Sequence, residues 1–378
     1  PYVIDWLIHL GRENGRKFAV RLVKGAYWDT EIKHAQEQGL EDYPVFTRKQ
    51  ATDISYIYTA ARMLDAQDAI YPQFATHNAH TIAAISEMAG DKRYEFQKLH
   101  GMGSLLYKAA GRVAGKPIRT RTYAPVGLHE DLLPYLVRRL LENGANSSFV
   151  NRFMDADVPV EEVAGDPISS IKMAPALRHT LIEKPEDIYG EERKNSRGCN
   201  LYDQAQSTPL TDALARQKDT VYKAASIVGG KDVGGDKVDV TNPANTKEVV
   251  GTALEARAED IEAAIVKAEA AQWEWNRLGG AKRGEILRVI ADKLEENRDL
   301  FADLLVREAG KTLSDVIAEV REAVDFCRYY AARAEQHFAG PVFLPGPTGE
   351  RNRLFLGGRG TFLCIAPWNF PLAIFAGQ

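Results

Sequence analysis

The run Arg21-Leu22-Val23-Lys24-Gly25-Ala26-Tyr27-Trp28 sets two cations three residues apart and follows them with a glycine. In an extended strand Arg21 and Val23 share a face. An Arg at that position can stabilise the electron-rich ring of a reduced flavin from beneath its N5 or pyrimidine edge, and Gly25 lets a ribityl chain or phosphate approach the backbone. A strand-end Arg paired with a carboxylate accounts for the spacing equally well. Tyr135-Leu136-Val137-Arg138-Arg139-Leu140-Leu141-Glu142 places adjacent arginines among apolar residues. Helix neighbours diverge by about 100°, so both forks reach one small carboxylate only if it lies over the helix flank. Solvated charges on an amphipathic helix are the other reading. Thr76-His77-Asn78-Ala79-His80, with His100 further on, supplies imidazoles, but no carboxylate-plus-histidine helix motif accompanies them. A hydrogen bond to a cofactor is therefore expected there, and no metal. Tyr123, in Tyr123-Ala124-Pro125-Val126-Gly127, either projects into a site or plugs a barrel.

These residues need a scaffold that gathers strand ends. Between Phe18 and Gly144 a short apolar strand, a polar turn and an amphipathic helix recur four times. Strands are expected at Phe18–Val23, Ile70–Phe74, Tyr94–Leu99 and Arg119–Tyr123. Helices are expected within 30–64, over Ala79–Met88 and over His129–Glu142, with Gly144 as a stop. Each strand ends in polar, aromatic or glycine residues, so the chemistry belongs at the carboxyl edge of a parallel sheet. Four units cannot close an eight-stranded barrel. The chain starts without Met, so the later half of a barrel is expected in preference to an open sheet.

From about 155 to 220 strand periodicity fades, and Pro159, Pro167, Pro175 and Pro185 argue against one long helix. Beyond it, Gly229-Gly230-Lys231-Asp232-Val233-Gly234-Gly235 resembles a phosphate loop only superficially. It lacks a Gly-Lys-Ser/Thr ending that opens a helix, and strands on either side predict a hairpin. Amphipathic helices are expected over 258–271, 281–297, 300–309 and 313–338. Gly360-Thr361-Phe362-Leu363-Cys364-Ile365-Ala366-Pro367 reads as a buried strand with Cys364 as a small apolar residue, ending in Trp368-Asn369-Phe370-Pro371. An Asn fixed at a strand end can donate to a developing oxyanion, although strand-end Asn is commonly a turn residue.

Composition bounds the rest. The chain has 378 residues, 26% charged and 45% hydrophobic, with a formal net charge of −4. That length exceeds one typical domain, and no basic block or long apolar run points to nucleic acid or a membrane span. Cys199, Cys327 and Cys364 are too few and scattered for a disulfide framework, which favours a cytoplasmic location.

Arg-Leu-Val-Lys-Gly-Ala-Tyr-Trp-Asp from Arg21, Tyr-Pro-Gln-Phe-Ala-Thr-His-Asn from Tyr71, Tyr-Ala-Pro-Val-Gly from Tyr123 and Tyr-Leu-Val-Arg-Arg-Leu-Leu-Glu-Asn-Gly from Tyr135 closely resemble the proline dehydrogenase domain of the bacterial bifunctional proline utilization A family. The resemblance implies an FAD-dependent barrel. In it Arg138 and Arg139 hold the proline carboxylate, Tyr27 and Tyr123 shape the pocket, and hydride passes to the flavin to give pyrroline-5-carboxylate. Arg21, Val23, Lys24, Gly25, Ala26, Thr76, His77, Asn78 and Glu142 then lie on the flavin side. Asn242-Pro243-Ala244, Glu308-Ala309-Gly310-Lys311-Thr312 and Pro367-Trp368-Asn369-Phe370-Pro371 resemble, in order, the amino-terminal part of aldehyde dehydrogenases. That likeness implies Asn369 as oxyanion donor and Ile365, Ala366, Pro367 and Trp368 bordering an NAD site. It also implies that the family's catalytic lysine precedes Pro1, and that the nucleophilic Cys and general-base Glu follow the Trp-Asn motif.

The expected α/β architecture is the C-terminal half of a (βα)8 barrel over 1–155, a connector over 156–225, and the N-terminal part of an aldehyde-dehydrogenase-like domain over 226–378. The implied pathway runs from proline to glutamate semialdehyde to glutamate, with FAD and NAD as cofactors. A homo-oligomer and a peripheral membrane or quinone contact are expected, and no nucleic-acid contact. Oxidation of another cyclic amino acid such as hydroxyproline, or an inactive assembly role, are the alternatives.

Overall fold

The computed structural model describes residues 2–25, 27–144, 159 and 164–378, and the backbone but not the side chains of 140–144. Two compact units emerge, one of residues 1–32 and 44–182, the other of 33–43 and 183–378.

The first unit is built on a parallel sheet of β1 (Phe18–Val23), β2 (Ile70–Ala75), β3 (Glu95–Leu99) and β4 (Thr120–Tyr123), in that spatial order. Successive strands lie side by side with no reversal, the order of a barrel arc and not of a doubly wound sheet. Around it run α1 (Tyr2–Glu13), α3 (Lys49–Asp65), α4 (Ala79–Ala89), α5 (Ser104–Val113) and α6 (His129–Gly144), while α2 (Trp28–Glu37) begins in this unit and ends in the second. Strand alternation divides the sheet. Phe18, Val20, Leu22, Ile70, Phe74 and Phe96 pack against Met63, Leu64, Ile82, Ile85 and Tyr107 of the helices. The aromatic members interlock, with the Phe96 ring 6.2 Å from Phe74 and edge-on to Tyr94 at 5.4 Å. The opposite face carries Arg21, Tyr71, Gln73, Glu95, Gln97, Arg121 and Tyr123. The four expected strands form within a residue of their anticipated ends; α1 was not anticipated. A short α7 (Pro167–Lys172), capped by Asp166, closes the described part of this unit.

In the second unit a 3-10 turn at Pro185–Asp187 precedes α8 (Gln204–Gln217), which carries Pro209 inside it. That proline explains why this stretch does not read as a helix. Strands β5 (Tyr222–Val228), β6 (Lys231–Val233), β7 (Lys237–Asn242) and β8 (Asn245–Leu254) form a sheet in the order β6-β5-β8-β7. The expected hairpin is present but tighter: β5 turns into β6 through Gly229 and Gly230, both at positive φ (63° and 77°), as a two-residue hairpin turn requires. Strand β7 pairs antiparallel with β8, and β5 lies parallel to β8.

Helices α9 (Ala258–Arg277), α10 (Gly279–Glu296), α11 (Arg298–Arg307) and α12 (Leu313–His337) follow, matching the amphipathic pattern. The buried faces of α10, α11 and α12 join α8 in two apolar clusters that include Leu210, Leu305, Val320, Val324 and Cys327. Arg307, 7% exposed, ties α11 to β8 by reaching Glu248 at 2.8 Å, and within its own helix it pairs with Asp303 at 2.9 Å. The residues of 33–43 are held inside this unit. Gly39 at φ +59° packs so closely that an added Cβ would stand 2.2 Å from the Ser196 carbonyl, and Gly198 N–H donates to the Gly39 carbonyl at 2.8 Å. Arg321 donates to the carbonyls of Ser196 (3.2 Å) and Glu37.

A short antiparallel pair, β9 (Val342–Leu344) and β10 (Asn352–Leu354), comes next, and α13 (Ala373–Gly377) is the last helix. The expected buried strand over 360–367 does not form. Those residues are irregular and exposed, Cys364 included, because among the described residues no strand lies beside them to complete a ladder or cover their side chains.

Candidate functional site

The polar face of the first sheet is organised around Glu95, only 2% exposed. Arg121 meets it with both ends of its fork, Nε to Oε1 at 2.7 Å and Nη2 to Oε2 at 2.8 Å. Gln73 donates to it at 2.9 Å, Gln97 at 3.2 Å and the Tyr71 hydroxyl at 3.2 Å. Donors so converged favour the ionised form, and the Arg121 fork leads in pulling the Glu95 carboxyl from an ordinary 4.5 down to about 2. Gln97 links this cluster to β1: its side-chain oxygen accepts from Arg21 Nε at 3.0 Å. The Arg21 guanidinium also lies 5.0 Å from the centroid of the Tyr123 ring. Arg21 thus sits on the face expected of it, and its partners among the described residues are neutral, not carboxylates.

At the carboxyl ends of the strands the side chains divide between holding the scaffold and facing open space. Lys24 turns back toward the helices, where it pairs with Asp53 and lies 3.3 Å from the Thr81 hydroxyl and 5.4 Å from the Tyr56 ring. Burial lowers its pKa despite Asp53, while Asp53 stays below the usual carboxylate range against its own burial because Lys24 and Lys49 face it. Gly25 is open: an added Cβ would meet nothing within 4 Å. Val23 and Tyr27 are exposed, Tyr27 by half.

The β2 end is more tightly built. Asn78 caps α4 by accepting from the Thr81 N–H at 3.0 Å, and Thr76 accepts from the Asn78 N–H at 3.1 Å. The Tyr107 hydroxyl donates to the Thr76 carbonyl at 2.6 Å. His77 Nε2 accepts from the Leu99 N–H at 3.4 Å, and burial, with Lys98 nearby, lowers its pKa, so the imidazole is neutral. Burial likewise pushes the Tyr123 phenol up, so it stays protonated although Arg21 pulls the other way.

Helix α6 brings Arg138 to within 5.9 Å of the Tyr27 ring centroid and Arg139 to within 5.3 Å of that of Tyr135. Arg138 Nε is buried without a hydrogen-bond acceptor among the described residues. A small anion laid against this flank would supply one, so the donor set suits a carboxylate. Ala26 and the side chain of Glu142 lie outside the described residues.

Five residues of this constellation carried no assigned role from motif reading: Glu95, Gln97 and Arg121 belong to no motif, and Gln73 and Tyr135 stand inside motifs without a role of their own. Polar residues at alternate positions of strands whose other face is apolar were the available signal for the first four. Tyr135 is one helical turn before Arg139 and shares its face.

In the second unit, Asn369 falls in an exposed turn, and Ile365 and Trp368 are 75% and 90% exposed. Behind that turn, buried Glu319 accepts the N–H groups of Leu372 (2.9 Å) and Ala373 (3.3 Å) and pairs with Lys311 at 2.6 Å. Lys311 also lies 4.8 Å from the Phe370 ring centroid. Gly310 packs on Pro243, so the Asn-Pro-Ala, Glu-Ala-Gly-Lys-Thr and Trp-Asn motifs form one connected region.

Comparison with known proteins agrees with this division. Residues 1–152 match the proline dehydrogenase family and residues 231–378 the aldehyde dehydrogenase family. The chain is 46% identical over its whole length to Bifunctional protein PutA of Salmonella typhimurium and to that of Escherichia coli, and spans 29% of the length of these curated relatives. A crystal structure of Proline Utilization A from Bradyrhizobium japonicum superimposes with a TM-score of 0.83 at 45% identity, covering 100% of this chain and 35% of that one. The chain therefore joins a segment of the proline dehydrogenase family to a segment of the aldehyde dehydrogenase family, and along its whole length it is similar to the bifunctional PutA proteins.

Proposed function

We propose that the first unit contributes the substrate and flavin side of an FAD-dependent proline dehydrogenase. The observation that carries this reading is the buried Arg138 Nε beside Tyr27, without an acceptor among the described residues, at the carboxyl edge of a parallel sheet. FAD, when bound, accepts the hydride that leaves the carbon next to the ring nitrogen; that nitrogen sheds a proton, giving pyrroline-5-carboxylate. Arg138 and Arg139 fix the substrate carboxylate, and Tyr27 and Tyr123 wall the pocket. Arg21 and Val23 on the sheet face, with Gly25, Ala26, Thr76, His77, Asn78 and Glu142 at the strand and helix ends, take the cofactor side. Lys24, whose ammonium is engaged by Asp53, supports the turn that presents Gly25. Arg21 keeps its positive charge close to the ring that becomes electron-rich, which favours the reduced state.

The second segment serves the following oxidation, of glutamate semialdehyde to glutamate with NAD. Asn369 is the oxyanion donor, and the backbone of 365–368 borders the dinucleotide. Opening of pyrroline-5-carboxylate by water gives the semialdehyde, so the two segments act on consecutive species. Reoxidation of the flavin by a quinone would bring the protein against a membrane surface, although no helix among the described residues is long and apolar enough to cross one. A homo-oligomer would cover exposed apolar side chains such as Val342, Phe343 and Leu354 on the β9–β10 pair. The scattered, unpaired cysteines favour the cytoplasm.

Flavin-loaded protein should bleach on addition of proline. Arg138→Ala should retain the flavin and weaken proline binding by about 1.5–3 kcal/mol, the value of a charge-assisted contact. Unchanged proline affinity in that variant, measured by titrating the flavin spectrum, would remove the substrate-binding assignment.

A further inference from the structure

Arg21 and Arg121 project from the same sheet face, with one buried carboxylate, Glu95, among them. Glu95 is committed to Arg121 through two short hydrogen bonds. Among the described residues, Arg21 reaches the cluster only through the Gln97 amide, which is 8% exposed and fixed in orientation by its two neighbours: the oxygen accepts from Arg21 and the nitrogen donates to Glu95. Reversing the amide would set its NH2 against the guanidinium and its oxygen against the carboxylate. A glutamate here would repel Glu95 and pair with Arg21, and a lysine would repel Arg21. Glutamine alone among these joins a cation to a carboxylate without letting them neutralise each other. The other partner of Arg21, the Tyr123 ring, is uncharged as well.

We propose that Gln97 is a positioning residue that holds Arg21 with a neutral acceptor, so that one uncompensated positive charge faces the bound flavin and sets how readily the ring takes electrons. The inference rests on the flavin-side reading of Arg21. It assigns Gln97 a role distinct from binding, because the side chain acts through Arg21 and need not touch the cofactor.

The test uses the whole chain loaded with FAD, with sulfite as the probe. Sulfite forms a sulfur–N5 bond by giving its electron pair to the oxidised ring, and the anionic adduct reports nearby positive charge without any substrate. Gln97→Glu should bind FAD but weaken sulfite binding about tenfold, which for a two-electron couple corresponds to a midpoint potential lower by about 30 mV. Gln97→Met removes the acceptor without adding charge, frees Arg21 to turn toward Glu95, and should shift both readouts the same way by a smaller factor. If Gln97→Glu loses the flavin, Gln97→Met decides alone. Unchanged sulfite affinity and potential in flavin-loaded Gln97 variants overturn the proposal. A drop in sulfite affinity in Arg21→Met would then show that the flavin-side reading of Arg21 survives, whereas no drop in that variant would sink the reading itself.

Discussion

A buried guanidinium nitrogen with no acceptor is costly, on the order of 1–3 kcal/mol, and proteins retain such atoms where a ligand completes them. Among the described residues Arg138 Nε is in that condition, whereas the buried Glu95 carboxylate is surrounded by donors. Because the folded-state pKa of Glu95 lies below its ordinary value, its ionised form stabilises the fold above about pH 4.5, and that contribution is lost as pH falls toward about 2. Urea unfolding across that window should show the wild type losing stability on acidification, and Glu95→Gln should flatten that part of the profile. Equal acid dependence in the two proteins would mean that the Arg121 fork adds nothing. At this scale Arg21, Tyr27, Arg138 and Tyr123 were legible because each belongs to an ordered run of distinctive residue types. Glu95 and Gln97 were not, since neither belongs to such a run, and their meaning comes from neighbours on β1, β2 and β4 that only sheet register brings alongside.

Among the elements, the repeating strand and helix periods located nearly every piece of the first unit, since its strands bury one face against helices. The same reasoning failed at 360–367, where an apolar run resembles a buried strand but ladder partners decide whether it becomes one. The turn just beyond is fixed by a different device. Glu319 lies on α12, far away in sequence, yet it accepts both N–H groups at the start of α13 and neutralises Lys311. Glu319→Ala would leave the partly buried Lys311 without its partner and should destabilise the second unit by roughly 1–3 kcal/mol. Hydrogen exchange at the Leu372 and Ala373 amides should accelerate in that variant, and unaltered exchange there would exclude Glu319 as the anchor of the turn.

For the molecule as a whole, the two units are not continuous stretches of the sequence. The second unit contains residues 33–43, contributed from within the span of the first, and Arg321 holds them through the Glu37 and Ser196 carbonyls. Arg321→Ala should expose this insertion to trypsin at Lys33, with the new fragment visible by mass spectrometry. No change in cleavage would mean that the Gly39–Gly198 contact suffices by itself. Nothing in hydrophobic periodicity announces this arrangement, because a helix end and a loop look the same whichever core receives them. Its consequence concerns heredity as much as folding. A gene split ahead of residue 183 would give a downstream product missing a piece of its own interior, with the Gly198 amide left without the Gly39 carbonyl and the Arg321 fork without that of Glu37. Fission of these two segments into separate genes thus requires inventing a replacement for that insertion, and fusion is the condition that this fold favours.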